Sequence, residues 1–580
     1  MKLLYLLPLV ASFAGALWPQ PSTYTSGETV LWINGDVQVT YNGAEYKSHS
    51  YRENATSGAP TGDEIVQYAI QKTYATIFEK NFVPWKFYPS NSNFEPSKSD
   101  KSYVTALTLK QNEADPDNLV NALAGDVDES YNLSLTKEGE ATITANSSIG
   151  LVRGLTTFSQ LFFKTTDDCV YTNLAPVEIT DAPKFSHRGL NLDVSRNFFP
   201  VKDIKRTLDA MAFNKFNRFH MHATDGQSWP LEIPALPTLA SRGAYESSLT
   251  YSPEDLGELQ YYAALNGIEF IIEIDMPGHT SSIWHSYPDL IAAFNIQPDW
   301  STYAAEPPSG TLKLNSSDVS SFLEALFDDL LPRAAPFSAY FHTGGDEVNK
   351  NAYTLDDTVK SNDSAILQPL MQKFVDRNHD QVRSQGLVPI VWEEMLLEWN
   401  LTLGKDVIVQ TWQSDQAVAD TVAKGYKALA GNYNYWYLDC GHGQWLDFVI
   451  GPSSKLYWPY NDYCQPLHNW RLMYSYDPLS GVPEENAHLV IGGEVHMWAE
   501  QTDPTNLDRN VWPRACAAAE VLWSGPKDAQ GQNRSQVEAS PRLSMMRERL
   551  VAKGVMAEPI QMPFCLMNGT QCALPPSVGF

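Results

Sequence analysis

The sequence predicts an α/β protein, a (β/α)8 TIM barrel preceded by a smaller α+β domain, and three observations carry that expectation. At 580 residues the chain is longer than a single hydrophobic core usually organises. From His187 onward eight short β-rich runs alternate with helical segments, the pattern of a parallel sheet closed on itself. Before residue 182 strand-like runs mix with two amphipathic helices and the alternation is missing. With 43% hydrophobic and 19% charged residues, the composition suits a folded globular chain.

Met1-Lys2, the apolar stretch Leu3 to Phe13 and the small residues Ala14-Gly15-Ala16 read as a signal peptide over 1–16, cleaved after Ala16. The apolar run is shorter than the roughly 20 residues a membrane-spanning helix needs, and no later segment reaches that length. Residues 17–182 form the α+β domain. In its first helix Val66, Ile70, Tyr74 and Ile77 share a face, and in the second Leu151, Leu155, Phe158 and Phe162 do. Between the helices, Ser90 to Lys101 is poor in apolar residues and reads as an exposed loop and a candidate processing site. Asp181-Ala-Pro183 is the linker, since the residue before proline avoids helix.

The barrel is expected over 183–560, with strands at 188–194, 217–222, 269–275, 339–343, 388–392, 407–411, 427–430 and 489–494. Asp203 to Asn214 is one of its helices, with Ile204, Leu208, Met211 and Ala212 on one face. Residues 561–580 remain as a C-terminal tail. No recurring sequence period supports a repeat protein.

Eight Asn-X-Ser/Thr sequons, at Asn54, Asn132, Asn146, Asn315, Asn362, Asn400, Asn533 and Asn568, join the signal peptide in pointing to a secreted, extracellular glycoprotein. In an oxidising compartment the short separations favour disulfides Cys440–Cys464 and Cys565–Cys572, leaving Cys169 and Cys516 paired or free. The net charge of −27 argues against nucleic acid, which needs clustered Lys and Arg, and against anionic substrates.

In such a barrel chemistry sits at the C-terminal strand ends. The polar and aromatic residues there are Arg188, Asp225, Asp275, His279, Asp346-Glu347, Trp392-Glu393-Glu394, Trp412, Tyr437, Asp439, Trp498 and Glu500. Phe341-His-Thr-Gly-Gly-Asp-Glu347 is the most informative segment. Neighbouring strand residues point to opposite faces, so Gly344 and Gly345 must break strand geometry for both carboxylates to reach one pocket. The bland alternatives are a solvated acidic turn, core tryptophans and a structural tyrosine.

Several long segments resemble the family 20 glycoside hydrolases, the β-N-acetylhexosaminidases, and their secreted fungal members in particular. They are His187-Arg-Gly-Leu-Asn-Leu-Asp-Val-Ser-Arg196, His220-Met-His-Ala-Thr-Asp-Gly-Gln-Ser-Trp-Pro230, His342-Thr-Gly-Gly-Asp-Glu347, Trp436-Tyr-Leu-Asp439 and the N-terminal-domain helix Gly150 to Gln160. The resemblance implies exo-acting, retaining hydrolysis of terminal β-linked GlcNAc or GalNAc from chitooligosaccharides and glycans. The substrate's own acetamido oxygen is the nucleophile, an exception to the two-carboxylate scheme, and an oxazolinium intermediate forms.

By the same resemblance Glu347 is the general acid and base, and Asp346 orients the acetamido N–H. Tyr437 donates to the acetamido oxygen, and Trp392, Trp412 and Trp498 box its methyl. Arg188, Asp439 and Glu500 hold sugar hydroxyls, while Asp225 and His279 tune the acid. No metal or cofactor is implied, and fungal members imply a homodimer and an associated, cleaved N-terminal segment.

Two rival classes remain compatible with parts of the sequence. His220-Met-His222 places two imidazoles on one strand face, as in metal-dependent amidohydrolase barrels, and Asp225, His279 and Asp346 could complete such a site. A lectin-like binder without catalysis is opposed by the intact acid pair.

Overall fold

The computed structural model describes residues 17–46, 58–99, 101–447 and 461–574. The N-terminal sheet has eight strands: β1 (Thr23–Ile33), β2 (Gln38–Tyr41), β3 (Ala44–Glu45), β4 (Ala106–Gln111), β5 (Tyr131–Leu135), β6 (Glu140–Ala145), β7 (Phe163–Lys164) and β8 (Val170–Asp181). Their order is β1-β8-β5-β6-β4-β2-β3, with β7 paired on β8. Alternation decides the buried face: β5 turns Tyr131, Leu133 and Leu135 inward and leaves Asn132 exposed.

Two helices pack side by side on this sheet. α1 (Gly62–Tyr74) starts with a capping box between Thr61 and Glu64, and α2 (Ser148–Ser159) is capped by Ser147. Gly154 lets α2 lie close on the strands, because a Cβ there would meet Ile143 Cγ2 at 2.4 Å. Of the faces expected from spacing, Val66, Ile70, Ile77, Leu151, Leu155, Phe158 and Phe162 are buried, and Tyr74 is half-buried.

The barrel strands are β9 (His187–Asp193), β10 (Arg218–His222) and β11 (Glu269–Glu273), then β14 (Tyr340–His342), β15 (Val388–Trp392), β16 (Ile408–Thr411), β17 (Lys427–Ala430) and β18 (Val490–Met497). A short ribbon, β12 (Ile291–Ala292) with β13 (Thr311–Leu312), decorates the loop after β11. All eight expected strands are present and close in parallel, β18 back onto β9. β18 runs three residues past its expected end at 494, to Met497.

Along β10 and β11, Phe219, Met221, Phe270 and Ile272 join the core shared with the helices, while His220, His222 and Glu273 meet one another inside the barrel. Ile271, Ile390, Ile408 and Leu429 supply an apolar layer to the same interior. The helix Val201–Phe213 buries Ile204, Leu208 and Met211 against the sheet's outer face.

A buried ionic cluster welds the two units. Glu129 accepts from Arg153 Nε at 2.9 Å, Arg188 Nη2 at 2.6 Å and Asn217 Nδ2 at 2.9 Å. Burial alone would raise Glu129, but the two guanidinium charges outweigh it and hold the carboxyl at about 2. Arg188 also donates to the carbonyls of Lys215 and Phe185, both at 2.9 Å. It is the second residue of β9 and fully buried at the N-terminal end of the barrel. The expectation that Arg188 holds sugar hydroxyls is therefore corrected, since the site forms at the other end.

Both expected disulfides are present, and Cys169 and Cys516 are free. The loop at 90–99 is exposed as expected, yet it is pinned to the β7–β8 hairpin by Lys98 on Asp167 at 2.5 Å and by Glu95, which accepts from Thr166 N at 2.6 Å. Of the sequons, Asn132, Asn315, Asn362, Asn400 and Asn533 are exposed and Asn146 and Asn568 half-buried, so oligosaccharyl transfer could reach them. Asn54 and the signal peptide lie outside the described residues. Among the described residues no helix is long and apolar enough to cross a membrane.

Candidate active site

A cavity of about 360 Å³ opens at the C-terminal strand ends. Its wall gathers Arg196, His279, Glu306, Asp346, Glu347, Trp412, Tyr437, Asp439, Trp498 and Glu500, with Trp445 and Tyr463 among the other lining residues. They arrive from the segments that follow β9, β11, β14, β16, β17 and β18, which is why residues distant in sequence converge.

The turn after β14 shows why glycine is required. Gly344 and Gly345 have φ of 69° and 110°. A Cβ on Gly344 would sit 1.8 Å from Asp275 Oδ1, and one on Gly345 would sit 2.6 Å from Met395 Cγ. Glu347 itself is left-handed at φ 52°, as is His279 at 53°. Non-glycine residues held there cost of order 1–3 kcal/mol, strain that clusters at functional sites.

His279 bridges the carboxylates: its Nε2 is 3.3 Å from Glu347 Oε2 and 3.9 Å from Asp346 Oδ2, and its Nδ1 is 3.1 Å from Asp225 Oδ1. Burial would lower His279, but Asp225 and Asp346 raise it well above the ordinary imidazole range. Asp225 is driven the other way: burial is outweighed by Arg196, His279 and His222, which keep it ionised. Burial and the charge of Asp346 push Asp275 well above the carboxylate range, so it retains a proton and donates to Asp346. Asp275 also accepts from Gly345 N at 2.8 Å, fixing the turn.

The aromatics form one cluster. Tyr437 stacks on Trp412 with centroids 6.1 Å apart at 12°, and Trp498 lies 6.0 Å from Trp392 and 6.1 Å from Tyr437. Trp392 is buried beneath the others and donates to Glu273 Oε1 at 2.7 Å. Trp412 donates from its ring to Glu394 at 3.1 Å, and from its backbone to Glu393 Oε2 at 2.7 Å.

Burial pushes Glu393 up to about 7 from an ordinary 4.5. The stability this represents is present below pH 4.5 and lost as pH rises through 7, where the buried charge must form. Glu393→Gln is thus expected to gain on wild type by about 3 kcal/mol between pH 4.5 and 8. Thermal unfolding across that range checks it, and a pH-independent difference would contradict it.

Arg196, three residues past the end of β9, occupies the place expected for Arg188. It contacts Asp193 Oδ2 at 3.2 Å, Asp225 Oδ2 at 3.1 Å, Glu306 and Glu500 Oε1 at 3.8 Å, and lies over Trp498 at 5.4 Å. Sequence reasoning missed Arg196 although the quoted segment ends on it. The available signal was its position after, rather than within, the strand. Glu306 was missed too, since it comes from an irregular loop with no pattern.

Burial raises Glu306 to about 7 and Glu500 to about 8, with Arg196 opposing both. Asp439 is raised well above the carboxylate range by burial and Glu500. The six carboxyls of Glu306, Asp346, Glu347, Asp439, Asp462 and Glu500 still far outnumber the cations.

His220 and His222 do not converge with His279 and Asp346 as the metal reading required. Both imidazoles face the carboxylate of Glu273, at 3.0 and 2.5 Å.

A closed eight-stranded barrel whose strand ends present adjacent carboxylates inside an aromatic box defines a sugar-cleaving hydrolase. Residues 185–526 match the catalytic domain of glycosyl hydrolase family 20, and 17–161 match a beta-acetyl hexosaminidase-like domain. The chain belongs to glycosyl hydrolase family 20 and is a glycoside hydrolase of the β-N-acetylhexosaminidase class.

It is 42% identical to a beta-hexosaminidase of Arthroderma benhamiae over 96% of this chain and 97% of that one. It is 33% identical to a chitooligosaccharidolytic beta-N-acetylglucosaminidase of Ostrinia furnacalis, over 78% and 76%. Among solved structures, the chitobiase of Flavobacterium johnsoniae superposes with a TM-score of 0.71 at 25% identity, covering 93% of this chain and 73% of that one.

Proposed function

We propose that the pocket removes terminal, non-reducing β-linked N-acetylhexosamine by substrate-assisted, retaining catalysis. The observation that carries the reading is the inequality of the two adjacent carboxylates. Asp346 is buried and tied to Asp275, whereas Glu347 is about one-third exposed on the cavity wall beside His279. A conventional retaining pair faces the bond from two sides about 5 Å apart, with an open nucleophile, and the buried Asp346 on the same turn as Glu347 suits that role poorly. It can serve one face: Glu347 protonates the leaving oxygen and then activates water, while Asp346 orients the acetamido N–H.

Tyr437 donates to the acetamido oxygen, and Trp392, Trp412 and Trp498 shelter the methyl from water. Arg196, Asp439 and Glu500 take the remote hydroxyls, which supports exo action on neutral ends. Chitin-derived oligosaccharides and GlcNAc- or GalNAc-terminated glycans fit this pocket. Secretion is supported by the sequons and disulfides.

The test compares an aryl β-N-acetylglucosaminide with the matching aryl β-glucoside, which lacks the internal nucleophile. The glucoside is expected to be at least about a thousandfold slower, in keeping with the value of an intramolecular nucleophile. Comparable turnover would sink the mechanism.

A further inference from the structure

The barrel interior holds more ionisable side chains than the pocket uses, and they form one line. From Glu347 the contacts run to His279, to Asp225, to His222 (2.7 Å), to Glu273 (2.5 Å), to His220 (3.0 Å), to Glu494 (2.9 Å) and to His187 (2.7 Å). Members below His279 are essentially inaccessible to water.

The geometry favours a particular set of protons. Each of His279, His222 and His220 lies between two carboxyl groups, one against each ring nitrogen, the arrangement an imidazolium that donates from both nitrogens satisfies in full. Three imidazolium cations then alternate with the anions Asp225, Glu273 and Glu494. The charge directions agree: burial opposes every one of these charges, and the neighbours overcome it, raising His220 to about 9 and holding Glu273 and Glu494 well below the usual range.

The surroundings secure the line laterally. Gln410 donates to Glu494 at 2.8 Å, Trp392 to Glu273 at 2.7 Å, and Arg196 Nη2 lies 3.1 Å from Asp225. His342 stacks on His220 with centroids 4.8 Å apart, and burial keeps His342 and His496 below the ordinary imidazole range and so neutral. Gly189 makes room for the line, because a Cβ there would meet Glu494 Cγ at 2.4 Å.

We infer that Glu273 is a positioning residue for the acid step. Through His222 and Asp225 it holds His279 as the imidazolium that orients Glu347. In a low-dielectric interior an alternating line is cooperative, since removing one charge leaves its neighbours uncompensated. A glutamine at 273 could not accept from His220, His222 and Trp392 together, and its amide protons would confront ring N–H groups. His222 would shed its Nδ1 proton, and Asp225 Oδ2, on the side away from His279, would keep Arg196 but lose the second of its two cations.

The inference rests on the proposed role of Glu347, and the experiment separates the two. Glu273→Gln and Glu347→Gln are assayed on one N-acetylglucosaminide with a nitrophenolate leaving group, which barely needs an acid, and on one with an alkyl or sugar leaving group, which does. For Glu273→Gln we expect kcat/KM to fall at least about tenfold more on the poor leaving group. Equal losses on both substrates would mean a merely structural role, or one through Trp392, and overturn the inference. If Glu347→Gln itself shows no leaving-group dependence, the acid assignment fails. If it does and Glu273→Gln does not, only the line fails.

Should Glu273→Gln not fold, nitrogen NMR of histidine-labelled wild type decides independently. Three rings protonated on both nitrogens at pH 7.5, above the ordinary 6.5 of histidine, are expected. Neutral-ring shifts for His220 and His222 would overturn the inference.

Discussion

Glu347→Gln is expected to lose about 10² to 10⁴ in kcat on chitooligosaccharides while changing KM little, the usual worth of a positioned general acid. Its side chain is on the cavity wall rather than in the core, so the isosteric amide should fold normally and melt close to wild type. Because the same carboxylate then serves as base toward water, azide, a nucleophile that needs no base, should restore turnover on activated aryl substrates and yield a β-azide. Undiminished activity on a natural oligosaccharide would remove Glu347 from the acid role.

The second large effect separates two arginines that share a sequence segment. Arg188→Ala leaves Glu129 with one of its two guanidinium partners and opens a hole at the seam. Breaking a buried ion pair costs about 3–5 kcal/mol. A clear drop in Tm with KM unchanged is expected. Arg196→Lys keeps the cation but loses the planar donor array on Asp225, Glu306 and Glu500. Here KM is expected to rise about tenfold, the scale of one lost charge-assisted hydrogen bond, with Tm nearly intact. Thermal melts and Michaelis–Menten runs on both variants suffice, and the reverse pattern would return the hydroxyl-binding role to Arg188.

These arginines show where sequence reading stops. Runs such as Val388–Trp392 declare a strand through β-branched residues, and the barrel follows from eight of them. Residues beyond a strand's last position, such as Asp225, Trp412 and Glu500, could be assigned to the pocket end by counting. Within a strand, period-two alternation tells which face a side chain takes but not its height along the barrel axis. Arg188 is separated from the pocket by the length of β9, and that distance is invisible without the strand's register.

Glu273 is less legible still. In Glu269-Phe-Ile-Ile-Glu273 it looks like a polar strand terminus, and its meaning arises only when β10, β15 and β11 bring His220, His222 and Trp392 around it. Asp275 and Glu306 likewise owe their raised carboxyls first to burial beneath segments distant in sequence.

The Cys440–Cys464 bond sits immediately beside two residues of the pocket wall, Asp439 on one side and Tyr463 on the other. The wall that meets the sugar is thus clipped covalently, not merely packed. A thiol pair would leave these segments held only by weaker ties, chiefly Asp462, which accepts from Gly441 N at 2.6 Å and Gly443 N at 3.0 Å. Completion of the binding pocket is in this way coupled to oxidation: the closed barrel supplies the floor and the catalytic turn, and an oxidising environment supplies the last tie in the wall.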